Sequence, residues 1–116
     1  SRLSVEEMFR VAQTYEPGGD RFKEVFEIAV RMYPDDPVSN LNAANIAISE
    51  GKVEQAKRYL AKAETSPEKQ LAEAGIAMLE GDLDRAETLL LPLKDNLGLA
   101  EDVANNLEQI ATKRAE

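Results

Sequence analysis

Three residues of this chain have types and spacing suited to recognition: Asn42, Asn45 and Ile48. An Asn amide offers a donor and an acceptor, so it can pair with both the N–H and the C=O of an extended peptide. Helical spacing would set the two amides one turn apart and Ile48 on the next turn, an apolar anchor beside two backbone-reading groups. The competing role for Asn40, Asn42 and Asn45 is internal: capping, solvation or hydrogen bonding between helices. Reactive chemistry is poorly provided for. The 116 residues include no Cys and no His. That excludes disulfides, thiolate nucleophiles, zinc sites of the Cys/His kind and imidazole bases. The acidic pairs Asp35-Asp36, Asp82/Asp84 and Glu101-Asp102 could suggest a metal site or an acid–base couple. Each falls at an expected helix start, where a carboxylate caps free N–H groups and favours the helix dipole. Gly18-Gly19-Asp20 lacks the spacing and the Lys of a phosphate loop. No catalytic, cofactor-binding or metal-binding residue is expected, and the chain reads as non-enzymatic.

Charge narrows the partners. The net charge is −8, from 22 acidic and 14 basic side chains. Phosphate backbones and anionic membrane surfaces require clustered Lys and Arg, so both are disfavoured. Residues 1–36 carry −3, residues 37–66 carry +1 and residues 67–116 carry −6. No apolar run approaches the ~20 residues needed to span a bilayer. The start, Ser1-Arg2-Leu3, lacks an initiator Met and suggests a segment of a longer protein.

The elements that must position these residues are helices. Ser4-Val5-Glu6-Glu7 has the pattern of a capping box, and Val5, Met8, Phe9, Ala12 and Tyr15 follow at helical spacing until Pro17-Gly18-Gly19. A second helix is expected from about Asp20 to Tyr33. Its apolar residues cover more than one stripe, which predicts the most buried helix of the set. Asp36-Pro37 and Ser66-Pro67 each place a capping side chain before a Pro at the first helical position. The helices they start should stop at Gly51 and Gly81. Partner helices are expected over about 53–63 and 83–91, the latter ended by Pro92. A final helix, about 99–115, has an apolar stripe through Val103, Leu107 and Ile110 and an opposite polar face. No segment has the alternation of a strand.

The chain also repeats itself. Residues 37–66 align without a gap on residues 67–96, matching Pro37/Pro67, Leu41/Leu71, Ala44/Ala74, Ala47/Ala77, Gly51/Gly81, Ala56/Ala86 and Leu60/Leu90. A fixed period in this range signals stacked helical repeats, which bury one face on their neighbours and present another to a partner. The expected architecture is therefore all-α, an α-α superhelix of three antiparallel helix pairs, about 4–36, 37–66 and 67–96. Residues 97–116 would form a helix that caps the array. Phe26 aligns with Leu60 and Ala29 with Ala63 at a step of 34 residues, which brings in the first pair.

Small residues at the helix junctions, Gly in the turn and Ala56, Leu60 and Ala63 on the second helix resemble the tetratricopeptide repeat. The second step is 30 residues, and Asn40 and Gln70 stand where that family carries Trp. The resemblance implies a protein-interaction module holding a peptide or a domain on its concave face. Asn42 and Asn45 fall where one type of such groove carries the Asn of a carboxylate clamp. Leu41, Glu68 and Ala72 replace the clamp's basic residues, so a carboxylate clamp is not expected. The strings LSVEEMFRVAQTYEPGGDRFKEVFE and RMYPDDPVSNLNAANIA further resemble the C-terminal repeat region of an outer-membrane-associated family from anaerobic gut bacteria. That resemblance implies a periplasmic or outer-membrane-associated location. The alternative to a binding module is a structural spacer or assembly segment within a larger envelope protein.

Overall fold

The computed structural model describes residues 2–116 and contains seven α-helices and no strand among them. They are α1 (Val5–Ala12), α2 (Asp20–Met32), α3 (Pro37–Ser49), α4 (Val53–Leu60), α5 (Pro67–Leu79), α6 (Leu83–Leu90) and α7 (Ala100–Arg114). A single 3-10 turn, Leu91–Leu93, carries Pro92 beyond the end of α6. The chain divides into two compact units, one up to Glu64 and one from Thr65 onward.

The helix starts follow from side-chain chemistry. Ser4 accepts from the Glu7 N–H at 3.2 Å and the Glu7 carboxylate accepts from the Ser4 N–H at 2.8 Å, closing the capping box. Asp36 accepts from the Ser39 N–H at 2.7 Å, and Ser66 from the Lys69 N–H at 3.0 Å. Pro37 and Pro67 occupy the first helical positions. Gly51 and Gly81, with φ of 72° and 78°, end α3 and α5 in the left-handed conformation that Gly adopts at least cost. Helix ends deviate more. The first helix stops at Ala12, short of Tyr15, and α4 stops at Leu60, although Ala63 is still buried in the turn that follows.

In the first unit α1 packs on α2, α2 on α3 and α3 on α4. Its buried apolar residues include Met8, Ala12, Phe26, Ala29, Ala44, Ala47, Ala56 and Leu60. Phe26 meets Phe9 and Phe22 at ring-centroid distances of 5.8 and 4.9 Å. The expectation that α2 is the most buried helix fails. It buries Phe26, Ala29 and Val30, whereas α3 buries Ser39, Asn40, Ala43, Ala44 and Ala47. The second apolar stripe of α2, Val25, Ile28 and Met32, is only half-buried. In the second unit α5 packs on α6, and α7 packs on both. Ala74, Ala77, Ala86, Leu90, Leu93, Val103 and Ile110 form its core.

Among the described residues one buried side-chain group is unsatisfied. The Ser39 hydroxyl is fully buried on α3 and has no hydrogen-bond partner. A hydroxyl removed from water without a partner costs more than a methyl in the same space. Ser39→Ala is expected to stabilise the fold by about 0.5–1.5 kcal/mol, read as a raised urea midpoint. A lowered midpoint would show that the hydroxyl is satisfied in solution.

Candidate functional site

The structure places Asn42, Asn45 and Ile48 along the outward side of α3, but not as equals. Asn42 is half-buried, and its amide N–H donates to the Val38 carbonyl at 2.9 Å. That bond engages the donor within its own helix and leaves Oδ1 as the group able to accept from a ligand. Asn45 is exposed, and among the described residues no group pairs with its amide. Ile48 is half-buried. Steps of three residues fall short of a helical turn by about 60°, so the three residues trace an oblique line. Val38 lies one turn before Asn42 on the same helix and is 50% exposed. With Leu41, half-buried, it adds an apolar component that the residue types alone did not single out.

Asn40 serves the fold. It is 1% exposed, and its amide donates to the Pro34 and Asp36 carbonyls at 3.0 and 2.8 Å. Those bonds tie α3 to the link from α2. Gln70, its repeat equivalent, donates to the Leu89 carbonyl at 2.9 Å and ties α5 to α6. The Asn-rich string thus splits by position on the helix: Asn40, facing inward, is structural, Asn42 keeps its Oδ1, and the exposed Asn45 keeps its whole amide.

The acidic pairs do not act as pairs. Asp36 and Asp82 cap α3 and α6. Asp35 pairs with Lys62 at 3.5 Å. Asp84 and Glu87 accept from the two ends of the Arg114 guanidinium at 2.6 and 2.8 Å, joining α6 to the end of α7. Glu101 and Asp102 lie in the first turn of α7, which has no side-chain cap, so dipole attraction and not capping accounts for them. Among the described residues no three carboxylates come together as metal ligands.

The two side chains whose protonation is perturbed lie on α1 and α7. The Glu7 carboxyl is held below its ordinary range by the Ser4 backbone N–H and then by the Ser4 hydroxyl. Hydrogen bonds to Glu87 and then Asp84 hold the Arg114 guanidinium further above its already high value. Neither group touches the α3 face. What this face can do is pair with polar backbone and cover an apolar side chain; the exposed Ser49, one turn beyond Asn45, donates its hydroxyl to the Ile46 carbonyl at 2.7 Å.

The chain matches no protein-family model, no curated protein and no solved structure. The functional reading therefore stands on the α3 face itself. Among the described residues no helix is long and apolar enough to cross a membrane.

Proposed function

We propose that the chain is a non-catalytic protein-interaction module, a tetratricopeptide-like helical repeat, in which α3 holds an extended peptide or a strand-like segment of a partner. One observation carries this reading. The 13 residues of α3 include no charged side chain, in a chain with 22 acidic and 14 basic residues. A helix face kept for solvent normally carries charge, because Lys, Glu, Arg and Asp are the residues best left in water. Its repeat equivalent α5 does so, with Glu68, Lys69 and Glu73. Val38, Asn42 and Asn45 instead present an apolar and amide surface. Packing of α3 on both α2 and α4 accounts for part of that difference; the exposed positions Val38 and Asn45, apolar and amide where α5 places Glu68 in solvent, are what the alternative, a structural spacer or assembly segment of an envelope protein, does not require. The periplasmic or outer-membrane-associated setting belongs to the same proposal and rests on the resemblance of the N-terminal strings alone.

The test starts from a displayed library of extended peptides selected on the full chain, with binding of the best sequence measured by calorimetry. Replacing Asn42 and Asn45 together with Ala removes two polar contacts worth about 0.5–1.5 kcal/mol each, so binding should weaken by roughly tenfold. Thermal stability should hold, because Asn45 has no internal partner and Asn42 bonds only within its own helix. Unchanged affinity would move the site off α3. Stability lost in step with affinity would make the two amides structural.

A further inference from the structure

The polar groups that α3 turns to water form a single row. Val38, Asn42, Asn45 and Ser49 follow one another at steps of four, three and four residues. At 100° per residue they fall within about 60° of each other around the helix. Val38, Asn45 and Ser49 are exposed and Asn42 is half-buried. Their hydrogen bonding is not uniform. The Asn42 amide donates to the Val38 carbonyl at 2.9 Å, and the Ser49 hydroxyl donates to the Ile46 carbonyl at 2.7 Å. Both side chains have turned a donor back onto the helix. Among the described residues nothing donates to Asn42 Oδ1 or to Ser49 Oγ. Between them Asn45 keeps its whole amide. The row therefore has an open acceptor at each end and an amide in the middle.

The second copy of the repeat lacks this row. The equivalent positions on α5 hold Glu68, Ala72, Gly75 and Leu79, with no amide or hydroxyl among them. Asn and Ser compete with the helix backbone for hydrogen bonds, so Ala would serve the helix better at these positions. The scaffold repeats, and the polar row does not.

The spacing of the two acceptors selects a ligand backbone. Asn42 and Ser49 are two turns apart, about 10.5 Å along the axis. In a β-strand, N–H groups return to one side every two residues, at about 6.7 Å and then about 13 Å. In a polyproline II chain they return every three residues, at about 9.3 Å. A strand also needs a sheet edge to pair its ladder, and a helix offers none because its backbone groups bond internally. A polyproline II chain makes no such ladder, so side chains can meet its N–H and C=O groups one by one.

Given the reading of α3 as the binding surface, on which this rests, we propose that the ligand is an uncharged proline-rich segment lying along α3 in the polyproline II conformation. It carries a residue with a free N–H at every third position. Two such N–H groups, three residues apart, donate to Asn42 Oδ1 and Ser49 Oγ, and a carbonyl between them accepts from the Asn45 amide. The two intervening prolines need no donor, and their fixed φ holds the chain in the bound conformation beforehand. Val38 offers apolar contact to a pyrrolidine ring.

The probes are three capped peptides of equal length: (Ala-Pro-Pro)4, (Ala-Pro)6 and twelve prolines. Only the first has N–H groups three residues apart. It is expected to bind the full chain and to shift the amide signals of Asn42, Asn45 and Ser49. The other two should bind at least about tenfold more weakly, the scale of one or two lost hydrogen bonds. Ser49→Ala should reduce (Ala-Pro-Pro)4 to the level of (Ala-Pro)6 with thermal stability kept, and Ser49→Thr should restore it. Equal binding of the three probes, binding by none, or an indifferent Ser49→Ala would overturn the proposal. The extended peptide selected on the full chain separates this from the broader reading. If that peptide shifts α3 but tolerates N-methylation at every position, the proline-rich ligand falls and α3 remains the binding surface. If it and the probes shift only residues off α3, both fall.

Discussion

Deleting residues 99–116 is expected to unfold α5 and α6 and to make the chain self-associate. The deleted segment contains Val103 and Ile110, which are 0% and 1% exposed and belong to the core built on Leu90 and Leu93. Fully burying one such side chain contributes about 1.5–3 kcal/mol. Losing two of them, and the cover they give Leu90, approaches the 5–15 kcal/mol (roughly) that holds a whole domain together. The outward residues of α7, Glu101, Asp102, Asn105, Glu108 and Gln109, are all exposed. The helix thus exchanges a bare apolar surface on α5 and α6 for a wet one. The Arg114 fork adds little beyond orientation, since exposed ion pairs are weak. Amide exchange followed by NMR would read the result, with α3 and α4 of the other unit as the reference. Protection over α5 and α6 should collapse, and sedimentation should show oligomers. A truncated chain that stays monomeric with full protection in α5 and α6 would remove the closing role from α7.

Enlarging a junction alanine should do damage of a different kind. Ala86 is fully buried between α5 and α6, and Ala56 holds the same place between α3 and α4. Neither position has room for a longer side chain without moving a helix. Ala86→Leu is expected to cost about 1–3 kcal/mol through overpacking. Thr88→Leu, two residues on and exposed, should stay within about 0.5 kcal/mol of the parent. Urea unfolding of both variants checks the pair of expectations. An unchanged midpoint for Ala86→Leu would mean that the alignment of Ala56 with Ala86 does not mark a close helix approach.

The helices and their starts were legible because their signals are local. Ser4, Asp36 and Ser66 act on N–H groups three residues away, and Gly51 and Gly81 take a conformation that few other residues reach. Helix ends were less legible. Apolar spacing carries on into Tyr15 and Ala63, which pack from turns, so periodicity alone overran α1 and α4. Burial of α2 was misjudged for a related reason. Its two apolar stripes are real, but Val25, Ile28 and Met32 line an open groove. Within the candidate site, residue type could not separate Asn40 from Asn42 and Asn45. Only the rotation of α3 decides which amide turns inward to the Pro34 and Asp36 carbonyls and which meets solvent. The missing charge along α3 was visible in the string PVSNLNAANIAIS, but its weight came from Val38 standing half exposed on that helix.

The central claim is that the uncharged face of α3 is a binding surface, and amide chemical-shift mapping tests it most directly. The uniformly labelled full chain would be titrated with the best extended peptide selected on it. The account predicts that the largest shifts fall on the backbone of Val38, Asn42, Asn45 and Ile48 and on the side-chain amide of Asn45, with Asn40 nearly silent. Large shifts elsewhere with α3 unmoved would contradict it.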